Sequence, residues 1–178
     1  MSHSYFISLL GALLLGCDAS KTTLLFGELQ SGISPDEARR LLRVAEGSWK
    51  IVENGHLPSG DRRPRFDILS VEIADFSDCG VKGTLALKFF NDRLTSTWFY
   101  PSDLAGYLKC LQSRGIRFEP KRELNEMERY LGGPTNLEIR VSHHTRVWLY
   151  RDYKDRDYVA WEDMGLSAEE EAWIRSHS

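Results

Sequence analysis

Residues 84–100, TLALKFFNDRLTSTWFY, carry the pattern that decides the fold. Apolar side chains occupy alternate positions in the first half of this stretch, at Leu85, Leu87 and Phe89. The polar triplet NDR at 91–93 then supplies a turn. The second half returns with three side chains that the alternation places on one shared face: Leu94, Trp98 and Tyr100. Two alternating segments around a short polar turn predict a β-hairpin.

Helices and further strands are predicted on both sides of this hairpin. A helix is predicted to begin with a capping box formed by Ser34 and Glu37, with Pro35 at the first helical position, and to end at Gly47. The other predicted elements are strands at 49–53, 66–76 and 137–141, helices at 101–114 and 120–131, a hairpin at 147–162 and a last helix capped by Ser167 and Glu170. This order predicts an α+β fold, an antiparallel sheet with helices on one face. The order helix, strand, hairpin occurs twice. The two passes are either tandem repeats or a chance recurrence.

The chain begins with MSHSYFISLLGALLLGC, which ends in the tetrapeptide LLGC at 14–17. Its apolar run is about half as long as a membrane-spanning helix, so residues 1–16 are predicted to be a signal peptide. Cys17 resembles the lipid-accepting cysteine of bacterial lipoproteins, although no Lys or Arg precedes the run. The alternatives are a plain secretory signal, or a buried helix that contains a cysteine.

Composition limits what the rest of the chain does. About 160 residues after Cys17 suffice for one medium domain or two small ones, and we expect a tether at 17–32, a first α+β unit at 33–118 and a smaller second unit at 119–178. The net charge of −3 argues against a nucleic-acid partner. Cys79 and Cys110 are compatible with a disulfide in an oxidising envelope and equally with two buried thiols.

Three stretches carry a family resemblance: GIS at 32–34 before a charged helix, LKFFNDRL at 87–94, and YLGGP at 130–134. They resemble the SmpA/OmlA (BamE-type) outer-membrane lipoprotein domain and the related tandem fold of β-lactamase-inhibitor proteins. The resemblance implies two helices packed on an antiparallel sheet, and a protein that binds other proteins without chemistry of its own. It covers about half of the chain after Cys17.

No set of residues forms a convincing catalytic, metal or cofactor site. His143 and His144 are adjacent, so in a strand they point to opposite faces and do not share one ion. Asp75 and Asp78 lie near Cys79, but acidic neighbours raise the pKa of a thiol and disfavour a nucleophile. The acidic residues of 152–163 alternate with basic ones, which is typical of a solvated surface.

Two surfaces are candidates for binding. Arg62, Arg63 and Arg65 make a basic loop suited to anionic lipid or an acidic partner, with a solvated flexible loop as the alternative. The hairpin at 147–162 presents aromatic side chains of the kind that anchor interfaces, with burial in the core as the alternative: Trp148, Tyr150, Tyr153, Tyr158 and Trp161.

The sequence therefore predicts a non-catalytic lipoprotein of the bacterial envelope, acylated at Cys17 on the periplasmic side of the inner or outer membrane. Its expected role is protein binding or assembly, with an envelope protein as partner and no cofactor. The alternatives are a secreted or tethered hydrolase that gathers His56, His143 or Cys79 near carboxylates, and an inhibitor of a secreted enzyme.

Overall fold

The computed structural model describes residues 23–118, 137–140 and 144–177. The predicted signal peptide, Cys17, the predicted helix at 120–131 and His143 lie outside these residues. The described part contains nine strands, three α-helices and a 3₁₀ turn at Glu46–Ser48. The elements are β1 Leu24–Phe26, β2 Leu29–Gln30, α1 Pro35–Leu42, β3 Lys50–His56, β4 Asp67–Asp78, β5 Val81–Phe90, β6 Arg93–Pro101, α2 Leu104–Ser113, β7 Leu137–Arg140, β8 Thr145–Arg151, β9 Asp157–Asp163 and α3 Met164–His177.

Seven of these strands form one antiparallel sheet in the order β3-β4-β5-β6-β9-β8-β7, and β1 and β2 form a separate small hairpin. The predicted α+β class is confirmed. The predicted hairpins are present as β5–β6 and β8–β9. Their junction is the non-local pair β6–β9, so strands from both predicted units lie in the same sheet. The origin of the two halves by duplication stays a prediction.

A bulge in β6 changes which side chains share a face. Phe89 pairs with Leu94, but Lys88 pairs with Ser96, so Thr95 is an extra residue in the strand. The Thr95 hydroxyl donates a hydrogen bond to the carbonyl oxygen of Lys88, at 3.1 Å. The prediction that Leu94 shares a face with Trp98 and Tyr100 is therefore wrong, because one inserted residue reverses the alternation.

The main core lies on one face of the sheet, where α1, α2 and the β1–β2 hairpin cover it. Leu85, Leu87 and Phe89 of β5 are fully buried there. Phe26 of β1 packs edge-on against Trp161, with ring centroids 5.0 Å apart. A tether is predicted at 17–32, but the part of it from β1 onwards belongs to the folded body because its apolar side chains complete this core.

The helix α2 is fastened to the β4–β5 turn by a covalent and a polar contact. Cys79 and Cys110 form a disulfide with Cα atoms 6.2 Å apart, the first of the two alternatives left open by the sequence. Next to it, Asp78 accepts a hydrogen bond from the Tyr107 hydroxyl at 2.9 Å and pairs with Arg114 at 3.2 Å. The end of α2 is thus held against the sheet at two adjacent points.

The last helix differs from its prediction in both start and position. It begins at Met164 because the Asp163 carboxylate accepts hydrogen bonds from the backbone N–H groups of Gly165 and Leu166. The predicted cap Ser167 therefore lies inside α3. The helix packs on the face opposite α1 and α2, where the Trp173 ring contacts the Phe66 ring at an interplanar angle of 36°, with centroids 4.2 Å apart. Of the three described helices, α1 and α2 share one face as expected, and α3 does not.

The first helix begins as predicted and ends early. Ser34 Oγ accepts a hydrogen bond from the Glu37 N–H, and Pro35 occupies the first helical position. The chain leaves the helix at Arg43, which adopts a left-handed conformation with φ of 52°, so Gly47 is not the terminator.

Candidate functional site

The basic loop is largely neutralised by acidic neighbours. Arg63 pairs with Asp61 at 2.8 Å, and its hydrogen bonds lower the pKa of the Asp61 carboxyl to about 2. Arg65 pairs with both Asp67 and Asp92. Within the described residues only Arg62 of this trio makes no ion pair. A single unpaired cation is a weak attraction for an anionic surface.

The predicted aromatic set divides into three environments. Trp161 is 5% exposed and belongs to the main core. Tyr153 lies at the β8–β9 turn and is 90% exposed. The remaining three, Trp148, Tyr150 and Tyr158, are half-buried and line one groove on the outer face of the sheet. The alternative of burial in the core is therefore correct for Trp161, and the predicted surface position is correct for the other four residues.

The groove has a volume of about 360 Å³ and lies over β6, β9 and β8. Its shape follows from the register, because Trp98 and Trp148 stand directly opposite Ala160 on its two sides. The two tryptophan columns are separated by two strand spacings, about 10 Å. Between them the only side chain is a methyl group, so the surface is concave there. We call this feature, lined by Ser96, Trp98, Trp148, Tyr150, Tyr158, Ala160 and Glu162, the aromatic groove.

One end of the aromatic groove is polar. Glu162 Oε2 accepts hydrogen bonds from Arg146 Nη2 at 2.6 Å and from the Trp148 indole N–H at 3.2 Å. The Arg146 guanidinium also lies over the Trp148 ring, 3.6 Å from its centroid. These contacts fix the orientation of the Trp148 side chain before anything binds, which lowers the entropic cost of binding.

The other end is a row of tyrosines. The Tyr158 ring lies 5.0 Å from that of Tyr100 and 5.6 Å from that of Tyr150. Burial, followed by the two neighbouring tyrosines, raises the pKa of the Tyr158 hydroxyl above its ordinary value. The hydroxyl therefore keeps its proton at neutral pH and can both donate and accept a hydrogen bond. Arg156 covers the far side of this row, 4.5 Å from the Tyr100 ring centroid.

The residues considered for catalysis do not come together in the described part of the chain. Cys79 is disulfide-bonded and offers no thiol. His56 is exposed at the end of β3. In the same described residues, no three His, Cys, Asp or Glu side chains group in a way that would hold a metal ion. No described helix is long and apolar enough to cross a membrane.

Sequence reasoning missed four members of the groove: Ser96, Trp98, Ala160 and Glu162. Trp98 was recognised only as part of a hairpin face. The signal that finds it is the β6–β9 register, which places Trp98, Ala160 and Trp148 in one row.

Neither the known protein families nor the curated proteins contain a match to this chain. A function therefore has to be inferred from the residues that line the groove.

Proposed function

We propose that the protein is a lipid-anchored component of the bacterial envelope that acts by binding and performs no chemistry of its own. The observation that carries the proposal is the aromatic groove, a concave surface in which rigid aromatic side chains are already oriented. Aromatic residues held in place before binding are the usual energetic centre of recognition sites.

Two features support the location. The stretch LLGC at 14–17 fits acylation of Cys17, and the Cys79–Cys110 disulfide suits an oxidising compartment outside the cytoplasm. Only six residues separate Cys17 from Leu24, where β1 begins. Even fully extended, they span about 20 Å, so the folded body would stay near the bilayer surface.

The attachment point is compatible with a binding role for the groove. The hairpin β1–β2 packs on the core face of the sheet, through Leu25, Phe26 and Leu29. The aromatic groove lies on the opposite face. An anchor at Cys17 would therefore leave the body on the side away from the groove and would not block its opening.

Mass spectrometry of the native protein tests the anchor. The expected species begins at Cys17 and carries fatty acids, and a Cys17→Ser variant should leave the membrane fraction. A native chain that keeps Met1 and carries no acyl group would refute the proposed location.

Binding by the groove needs a separate test. An envelope protein stays the expected partner, and chemical crosslinking in envelopes should capture it with the unaltered chain and with Tyr153→Ala, a matched change of an exposed aromatic outside the groove. The same partner should be lost with Trp148→Ala. Equal capture by all three chains would refute the groove as the binding surface.

A further inference from the structure

We infer that the aromatic groove accommodates a sugar ring, so the part of the envelope partner that it recognises is a glycan. This inference rests on the proposed function, since it names the occupant of the same groove. Three properties of the groove support it: its charge, its unpaired polar groups and its size.

Glu162 is the charged residue among those that line the groove, and an ion pair with Arg146, which lies beside the lining, balances its charge. At the neighbouring rim, Lys88 is paired with Glu170 at 2.6 Å. An anionic or cationic ligand would have to separate one of these pairs or approach a neutral surface. Charge therefore disfavours a lipid phosphate, whereas a quaternary ammonium group, which aromatic faces also attract, is the competitor that the test below includes.

Several polar groups of the residues that line the groove have no partner in the described part of the chain. They include donors, acceptors and groups that do both: the Ser96 hydroxyl, the Trp98 indole N–H, the Tyr150 and Tyr158 hydroxyls, and the second carboxylate oxygen of Glu162. Hydroxyl groups on a ligand can satisfy such a mixed set because each one both donates and accepts. A purely apolar side chain from a partner protein would leave these groups unpaired and desolvated, which is unfavourable.

The walls of the groove suit the other half of a sugar. The faces of a pyranose ring present C–H groups, which carry a slight positive charge. The face of Trp98 and the face of Trp148 that Arg146 leaves uncovered are the negative part of the aromatic quadrupole. The volume of about 360 Å³ is near the lower end for small-molecule sites. It therefore fits a group of one or two rings better than an extended peptide.

Isothermal titration calorimetry on the full chain tests the inference, with a polyoxyethylene detergent because sugar detergents would compete. The probes are N-acetylglucosamine tetramer, cellotetraose and maltotetraose, with choline as the cationic competitor. At least one tetrasaccharide should bind with one site per chain. Trp98→Ala and Trp148→Ala should each weaken it by roughly tenfold, the loss expected for one stacking face.

The controls separate loss of binding from loss of folding. Tyr153→Ala should bind like the unaltered chain, and Trp148→Phe, which keeps a ring, should recover part of the affinity lost in Trp148→Ala. Each variant should keep a cooperative thermal transition and the far-ultraviolet circular dichroism of the unaltered chain. Absence of binding to all three sugars, binding that is indifferent to both tryptophans, or tighter binding of choline would each overturn the inference. A protein captured through Trp148 without any sugar binding would overturn the glycan and leave the proposed function standing.

Discussion

Removing the Cys79–Cys110 disulfide should destabilise the protein by an amount that the chain length between the cysteines sets. The two residues are 31 positions apart. A crosslink that closes a loop of this length lowers the entropy of the unfolded chain, which stabilises the folded protein by about 3.7 kcal/mol at 25 °C. The perturbation is a Cys79→Ser/Cys110→Ser double variant, which avoids the unpaired thiol that a single substitution would leave.

The native contacts of α2 should survive this change. In the double variant, Asp78 still accepts a hydrogen bond from the Tyr107 hydroxyl and still pairs with Arg114, so α2 stays docked on the sheet. The loss of stability therefore comes from the larger entropy of the unfolded chain. Urea unfolding followed by circular dichroism should show a midpoint lower by about 2 M, for an m-value of about 2 kcal/mol/M. Dithiothreitol should produce the same shift in the unaltered chain and none in the double variant. A loss below about 1 kcal/mol would refute the loop-entropy reasoning.

Three further predictions concern the sheet and the loop that α3 covers. A Cβ atom at Gly83 would collide with a backbone carbonyl oxygen of β6, so Gly83→Ala should cost about 2 kcal/mol in urea unfolding, whereas Gly47→Ala, which meets open space, should cost far less. Equal effects of the two changes would contradict the close packing of β5 on β6. Asp61 should titrate by NMR with a pKa of about 2 because Arg63 donates hydrogen bonds to it, and Arg63→Ala should return that pKa towards 3.8. Because the pKa of Asp61 is lowered in the folded chain, the stabilisation from this pair is complete above about pH 4 and is lost as the pH falls through about 2. Titration of Asp61 near 3.8 in the unaltered chain would refute the pairing. Trp173→Ala should release the loop at 57–65 and lower the free energy of unfolding by about 2 kcal/mol, because the indole N–H donates a hydrogen bond to a carbonyl oxygen of this loop at 3.1 Å. Unchanged tryptic cleavage of the loop in this variant would refute the contact.

Local patterns in the sequence were sufficient for most of the secondary structure. Alternation placed β5 and β6, and the capping box placed the start of α1, because both signals depend on neighbours within a few residues. The end of α1 at Arg43 was missed because a left-handed cap on a residue other than glycine leaves no mark in the sequence. The start of α3 was missed for a similar reason, since Asp163 serves as both the last strand residue and the cap.

The aromatic groove was harder to predict because it depends on two non-local features of the sheet. The extra residue Thr95 reverses the alternation of β6 and sends Trp98 to the outer face. The pairing of β6 with β9 then brings Trp98 into one row with Ala160 and Trp148. Neither the bulge nor the partner strand is encoded in a short window. The aromatic hairpin at 147–162 could therefore be recognised, but its division between core and groove could not.

The most direct test of the account is the set of indole N–H signals in a proton–nitrogen NMR spectrum. The chain has five tryptophans, Trp49, Trp98, Trp148, Trp161 and Trp173, and single Trp→Phe variants assign their signals. Addition of N-acetylglucosamine tetramer, cellotetraose or maltotetraose should shift Trp98 and Trp148 for at least one of the three sugars. The signals of Trp49, Trp161 and Trp173, which lie outside the groove, should stay in place. A spectrum in which Trp98 and Trp148 do not move with any of the sugars would contradict the account.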